Sequence, residues 1–140
     1  MFDMAGDDVI SFGLGEPDFQ PPEVAIDAMC KAMREGHNKY TTTAGLPALR
    51  KRIAEDWASV QSGLDENNVC MTISGTNALL CCSLALLNPG DNILLPEPYF
   101  PLYAPDATLC GAESKFYPCL FEHEFVPQIS DLEALIDENT

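Results

Sequence analysis

A short polar turn, Ser74-Gly75-Thr76-Asn77, carries the residues of this chain that are best suited to bind an anion. The turn lies between two apolar runs, which predict a buried strand over 69–73 and a helix over 77–87. The first amides of a helix lack intrahelical partners and lie at the positive end of its dipole. The turn therefore predicts a phosphate site, in which Gly75 permits close approach and Ser74 and Thr76 add hydroxyl donors. The alternative is that these side chains only cap the helix.

Two further apolar segments, Asn92 to Leu95 and Ser114 to Tyr117, predict strands with a helix between them. The order strand, helix, strand, helix, strand from Val69 predicts an α/β fold with a mainly parallel sheet and right-handed crossovers. Ligands bind such sheets beyond the carboxyl ends of the strands, where Tyr99 and Phe100 follow the second strand. These rings predict a flat aromatic face beside the phosphate. A place for Phe100 in the core is the alternative.

Proline, glycine and helical periodicity predict the remaining helices. One begins at Pro21-Pro22 and ends at Gly36, and another begins near Pro47 with an apolar stripe that makes Trp57 a core residue. The helix after the turn is apolar on every side, which predicts that other elements enclose it. Ser130-x-x-Glu133 has the form of a capping box and predicts the start of a last helix.

The composition limits the classes of function. The chain has 140 residues, 46% of them hydrophobic, which is enough for one globular domain or part of a larger one. A net charge of -15 argues against nucleic acid and anionic membranes as partners. There is no apolar window long enough for a bilayer and no basic n-region, so we expect a cytoplasmic protein. Its six cysteines are predicted to be reduced and buried, and no His-Cys spacing predicts a metal site.

Four segments, in the same order as in the family, resemble the N-terminal part of class I and II aminotransferases. They are GLGEPDF (13–19), KYTTTAGLPALR (39–50), SGTNAL (74–79) and NPGDNILLPEPYFPLY (88–103). These enzymes are pyridoxal-phosphate-dependent transferases of fold type I. The resemblance implies a three-layer α-β-α architecture with a mainly parallel sheet. Residues 1–20 would form an N-terminal arm and 21–140 an incomplete cofactor-binding large domain.

The resemblance also implies roles for particular residues. Ser74, Gly75 and Thr76 would bind the phosphate of pyridoxal 5'-phosphate, and Phe100 would stack on its pyridine ring. Tyr40 would reach the phosphate of the neighbouring subunit, which implies a homodimer with shared active sites. Gly15 would line the substrate carboxylate side, and Tyr103 would lie behind the pyridine nitrogen.

The implied reaction is amino-group transfer between an amino acid and a 2-oxo acid, with the cofactor held by a lysine. None of the four lysines (Lys31, Lys39, Lys51 and Lys115) has the sequence context of that lysine, so this chain alone is expected to be inactive. One alternative is a non-catalytic phosphate-binding or cofactor-binding module, or a half-protein that pairs with another chain. A nucleotide-binding domain is disfavoured, because no Gly-x-Gly-x-x-Gly or Gly-x-x-x-x-Gly-Lys sequence follows a predicted strand.

Overall fold

The computed structural model describes residues 10, 13 and 15–140, so most of the predicted N-terminal arm lies outside the described residues. The chain divides into two compact units, Met1–Thr41 and Thr42–Thr140. In the described part of the chain, no helix combines the length and the apolarity needed to cross a membrane.

The first unit contains one helix, α1 (Glu23–Arg34), among its described residues. The helix begins after Pro22, and the chain turns away at Gly36, whose φ of +87° favours glycine. The predicted start and end of this helix are therefore confirmed. No residue of α1 is buried, and Val24, Met29 and Met33 are exposed. These three apolar side chains therefore lack cover from the described residues of this unit.

The second unit alternates helices and strands. Its elements are α2 (Pro47–Trp57), a 3₁₀ helix (Glu66–Asn68), α3 (Gly75–Leu86), β1 (Asn92–Glu97), α4 (Tyr103–Leu109), β2 (Glu113–Pro118), a second 3₁₀ helix (Phe121–His123) and α5 (Ile129–Glu133). The predicted helices and the predicted second and third strands are confirmed, with bounds that shift by a few residues.

β1 and β2 form a parallel pair, with Asn92 opposite Glu113 and Leu95 opposite Phe116. The helix α4 connects them and packs on both strands. Leu95 and Ala107 are buried where the strands meet this helix, and Ala107 is fully inaccessible. This β1–α4–β2 arrangement confirms the predicted parallel α/β organisation.

The chain after α5 is fastened to the sheet by a group of polar residues that we call the tail clasp: Asn92, Lys115, Asp137 and Thr140. Asp137 accepts from Lys115 Nζ at 2.6 Å and from Asn92 Nδ2 at 2.8 Å, and Thr140 Oγ1 donates to Asn92 Oδ1 at 2.8 Å. The Asn92 amide also donates to the Asn139 carbonyl at 2.8 Å. The hydrogen bond from Lys115, followed by those from the Asn139 amide and Asn92, holds the pKa of Asp137 well below its usual range.

The predicted strand over 69–73 is wrong. The segment is extended at Val69, but its one backbone hydrogen bond to another part of the described chain joins the Met71 amide to the Ala44 carbonyl. A strand needs a ladder of such bonds, and β2 is the sole strand paired with β1 among the described residues. Ile73 is consequently 94% exposed.

Predicted burial also fails in several places. No residue of α3 is buried, so its predicted enclosure is wrong, and Trp57 is 56% exposed rather than in the core. Cys70, Cys81 and Cys82 are exposed, against the prediction of buried thiols. In each case an apolar pattern is present, but its packing is incomplete: α3 contacts α4, for example, yet none of its residues is buried.

The capping box predicted at Ser130 is wrong as well. The cap of α5 is Gln128, without a side-chain hydrogen bond, so Ser130 already lies inside the helix. A capping box is found instead at the first 3₁₀ helix, where Asp65 accepts from the Asn67 amide and Asn68 accepts from the Asp65 amide.

Candidate anion-binding site

Ser74 caps α3 through its side chain. Its backbone is extended, with φ -167° and ψ 165°, and its Oγ accepts from the Asn77 amide at 3.0 Å. Its carbonyl accepts from the Ala78 amide, as the first turn of an α-helix requires, and also from Thr72 Oγ1 at 2.8 Å. The predicted capping role of this serine is therefore confirmed.

The cap leaves two donors of the turn unused. The amides of Gly75 and Thr76 have no hydrogen-bond acceptor in the described part of the chain, and both residues are exposed. A Cβ added to Gly75 would meet no atom within 4 Å, so the space beside the backbone of this residue is open. They stand at the positive end of a 12-residue helix. Capping and anion binding are thus compatible here, because Ser74 Oγ uses the Asn77 amide and the two amides before it, those of Gly75 and Thr76, stay available.

The loop after β1 carries the predicted aromatic residue. Phe100 is 47% exposed and contacts Tyr103, with ring centroids 5.6 Å apart at an angle of 56°. The Tyr103 amide donates to the Phe100 carbonyl at 3.1 Å, which joins this loop to the first turn of α4. Phe100 is therefore not a core residue, so this alternative is wrong, and about half of its surface is open for another ring to contact.

A cavity of about 180 Å³ lies between α3, β1 and α4. It is lined by Leu79, Ser83, Ile93, Leu95, Pro96, Tyr103 and Asp106. Asp106 is 8% exposed, which is unusual for a carboxylate, and sequence reasoning did not single it out. The sole sign in the sequence is an aspartate within the otherwise uncharged helix α4. Tyr103 is the member of the cavity that also contacts Phe100.

The lysine and arginine side chains of the second unit all have other partners. Arg50 donates from Nε and Nη2 to the Glu66 carbonyl, at 2.9 and 2.6 Å. The other three form ion pairs: Lys51 with Glu55, Arg52 with Asp56, and Lys115 with Asp137. Within residues 42–140, therefore, an anion at the turn would be held by backbone amides and hydroxyls rather than by a free cationic side chain.

Two predicted site residues, Gly15 and Tyr40, belong to the first unit. Tyr40 is fully exposed, and no atom lies within 4 Å of a Cβ added to Gly15. Both are therefore accessible in their own unit, while Ser74, Gly75, Thr76, Phe100 and Tyr103 share the second. No group of three or more His, Cys, Asp or Glu side chains in the described residues is placed to hold a metal ion.

Parallel strands joined through a helix, together with a capped helix start whose first amides are unpaired, define an α/β protein with a candidate anion site at that turn. The chain belongs to the class I and II aminotransferase family, whose model matches residues 7–140. The resemblance drawn from its four sequence segments is thereby confirmed, as is the fold type.

Individual relatives agree with this assignment. The chain is 38% identical over 138 residues to an aspartate aminotransferase of Geobacillus stearothermophilus, a match that covers 97% of this chain and 35% of that protein. It is 36% identical to an LL-diaminopimelate aminotransferase of Dehalococcoides mccartyi, over 89% of this chain and 33% of the relative.

Solved structures give the same fold. An alanine aminotransferase of Pyrococcus furiosus superimposes with a TM-score of 0.81 at 40% identity, over 88% of this chain and 32% of the other. An aromatic aminotransferase of Pyrococcus horikoshii superimposes with a TM-score of 0.87 at 31% identity, over 99% of this chain and 38% of the other. The chain thus spans about a third of the length of the relatives that it matches.

Proposed function

We propose that this chain is the N-terminal part of an aminotransferase that transfers an amino group between an amino acid and a 2-oxo acid with pyridoxal 5'-phosphate. The observation that carries the proposal is the pair of unpaired amides, Gly75 and Thr76, at the start of α3 in a chain of this family. A phosphate at that position would accept hydrogen bonds from both and face the helix dipole.

The residues of the second unit fit the cofactor in two further respects. Gly75 leaves open space where a phosphate oxygen would approach, and the hydroxyls of Ser74 and Thr76 remain able to donate. The half-exposed ring of Phe100 provides an apolar face for the pyridine, with Tyr103 behind it. When bound, pyridoxal phosphate supplies the electron sink that accepts charge as the α-proton of an amino acid leaves.

The proposal extends to the complete protein. It is a cytoplasmic homodimer in which Tyr40 binds the cofactor phosphate of the partner subunit and Gly15 lines the substrate carboxylate side. The full exposure of Tyr40 supports this role, because a side chain that acts across an interface is uncovered within its own chain. Residues 1–20 serve as the arm, and 21–140 belong to the cofactor-binding large domain.

The chain by itself is proposed to be inactive, since it lacks the lysine that anchors the cofactor. The lysines of the two helices, Lys31 and Lys51, are exposed and pair with glutamates one turn away. Lys115 is held in the tail clasp by Asp137 and by the Leu135 carbonyl at 3.1 Å. These contacts support structural roles for the three residues.

Equilibrium dialysis with pyridoxal phosphate tests the binding proposal. We expect weak, reversible binding by the wild type, loss of binding in Gly75→Val, and normal binding in Ala85→Val. The last variant adds the same bulk at an exposed position of α3, away from the turn. Equal binding by Gly75→Val and the wild type would refute the proposed site, as would no binding of pyridoxal phosphate or inorganic phosphate by the wild type.

Borohydride reduction of the same mixture tests for an anchoring lysine. We expect mass spectrometry to find no specific reduced adduct on any of the four lysines. A stoichiometric adduct at one of them, lost in its Lys→Arg variant, would show that this chain carries its own anchor.

A second candidate function is that of a half-protein which pairs with another chain. The observation that favours it is the uncovered apolar surface of α3, where Leu84 is 61% and Leu86 is 76% exposed. Surfaces of this kind mark interaction sites. The test mixes this chain with the part of the Geobacillus stearothermophilus aspartate aminotransferase that it does not match. A 1:1 complex in size-exclusion chromatography supports pairing, and separate elution contradicts it.

A further inference from the structure

Gly45 occupies a backbone position that few other residues tolerate. Its φ is +99°, and it closes a turn in which its amide donates to the Thr42 carbonyl at 2.9 Å. The hydroxyl of Thr42 donates back to the Gly45 carbonyl at 2.7 Å. Although it lies in a loop, Gly45 is buried. Both its conformation and its surroundings therefore require a residue without a side chain.

The residue that covers Gly45 is Met71. A Cβ added to Gly45 would lie 2.7 Å from the Cβ of Met71 and would overlap its Cγ, so the glycine backbone packs directly against this side chain. The Met71 amide donates to the Ala44 carbonyl at 2.9 Å in the same place. Met71 is thus fixed to the 42–45 turn by one hydrogen bond and one close apolar contact.

Met71 lies only three residues before the cap of α3. Thr72 Oγ1 donates to the Ser74 carbonyl at 2.8 Å, and Ser74 Oγ accepts from the Asn77 amide. The segment 69–73 has no strand partner among the described residues, so its contact with Ala44 and Gly45 is its point of attachment to the earlier part of this unit. The placement of the turn therefore depends on that attachment.

We propose that Gly45 is a positioning residue for the anion-binding turn. Because Gly45 has no side chain, the side chain of Met71 can lie against the backbone of residue 45. This contact sets the position of residues 74–77, and with it the place where the open amides of Gly75 and Thr76 would meet a phosphate. The ligand part of this inference rests on the proposed function. The geometric part does not, and the two are tested separately.

The geometric test compares Gly45→Ala with Gly63→Ala. Gly63 also has a positive φ, of +81°, but no atom lies within 4 Å of its added Cβ, so only backbone strain is shared. In ¹H–¹⁵N spectra we expect Gly45→Ala to shift the amides of Gly75, Thr76 and Asn77, whereas Gly63→Ala leaves them unchanged. Shifts confined to the neighbours of residues 45 and 71 would overturn the proposal.

A double-mutant cycle identifies Met71 as the route of the effect. Met71→Gly removes Cβ and Cγ, the two side-chain atoms that an alanine at position 45 would meet. We expect Gly45→Ala to shift the turn amides much less in the Met71→Gly background than in the wild type. Equal shifts in both backgrounds would contradict the role of this contact.

If Gly45→Ala does not fold, Met71→Gly alone tests the same inference. Its matched control is Cys70→Gly, which adds equal backbone freedom at an exposed neighbour without removing the contact. Hydrogen exchange at the Asn77 amide should accelerate in Met71→Gly and stay unchanged in Cys70→Gly. The same exchange rate in both variants would overturn the proposal.

The ligand test measures inorganic phosphate and pyridoxal phosphate affinity in the two glycine variants. Small displacements of binding groups carry large penalties, so we expect Gly45→Ala to weaken binding about tenfold or more and Gly63→Ala to match the wild type. Shifted turn amides with no binding by the wild type would refute the proposed function and leave the positioning role intact. Normal binding by both variants would refute the positioning role alone.

Discussion

The β1–α4–β2 arrangement and the α3 helix with its preceding segment both contain apolar runs, but the surroundings of these runs are very different. In the first, Leu95 is 4% exposed and Ala107 is inaccessible, and the tail clasp closes one end. In the second, Ile73 is 94% exposed and no residue of α3 is buried. The difference shows that the packing of the second unit is tightest around the parallel strand pair, whereas the helix that follows the 74–77 turn has no buried residue.

The largest expected effect comes from matched leucines in the two regions. We predict that Leu95→Ala lowers the free energy of unfolding by about 2–5 kcal/mol, because it removes buried methyl groups, whereas Leu84→Ala changes it by less than about 0.5 kcal/mol. Urea unfolding followed by circular dichroism measures both. Equal losses would mean that α3 is covered in solution, and the comparison would fail.

The next effect concerns the tail clasp. We predict that Asp137→Asn destabilises the protein at pH 7, because the charge-assisted hydrogen bond with Lys115 is weakened. The pKa of Asp137 is lower in the folded than in the unfolded state, so its contribution is complete above the unfolded value of about 3.9 and is lost as the pH falls further. The stability difference between wild type and variant should therefore be constant from pH 7 to about 5 and shrink in more acidic solution.

The control for the clasp is Asp56→Asn, which breaks an exposed pair with Arg52 on α2. Pairs of that kind contribute about 0.5 kcal/mol or less, and salt screens them. If Asp137→Asn lowers the free energy of unfolding no more than this control, the proposed contribution of Asp137 is contradicted. A loss that increases as the pH falls would contradict it as well.

The smallest expected effect on stability sharpens the other side of the comparison. Leu84→Glu with Leu86→Glu should change the free energy of unfolding by less than about 0.5 kcal/mol, because both side chains already face solvent. The same pair should reduce self-association, since it breaks an exposed apolar surface. Light scattering over a concentration series measures this. Unchanged self-association would show that the exposed apolar side chains of α3 do not form the surface through which the chains associate.

The sequence predicted the elements more accurately than their surroundings. Helix limits at Pro22, Gly36 and Pro47 follow from local backbone chemistry, so they could be predicted residue by residue. The segment 69–73 could not, because an apolar run does not specify whether a neighbouring strand is present to pair with it. Trp57 shows the same limit, since periodicity defines an apolar face but not the element that covers it.

The candidate site divides in the same way. The cap at Ser74 and the unused amides after it follow from residue types at a helix start, and were predicted. The buried Asp106 and the contact between Gly45 and Met71 were not, because each depends on residues that meet only in the folded chain. The positive φ of Gly45 could not be predicted from the sequence, because the only indication of it is that the residue is a glycine.

The tail clasp joins residues that are far apart in the sequence and are therefore synthesised at different times. Asn92 begins β1, yet its side-chain partners are Asp137 and Thr140, and its amide bonds to Asn139. During synthesis, β1 and β2 can therefore pair before the tail clasp forms at their amino ends, because some twenty more residues must be added after β2. A nascent chain stalled in that interval would present Asn92 and Lys115 without these partners.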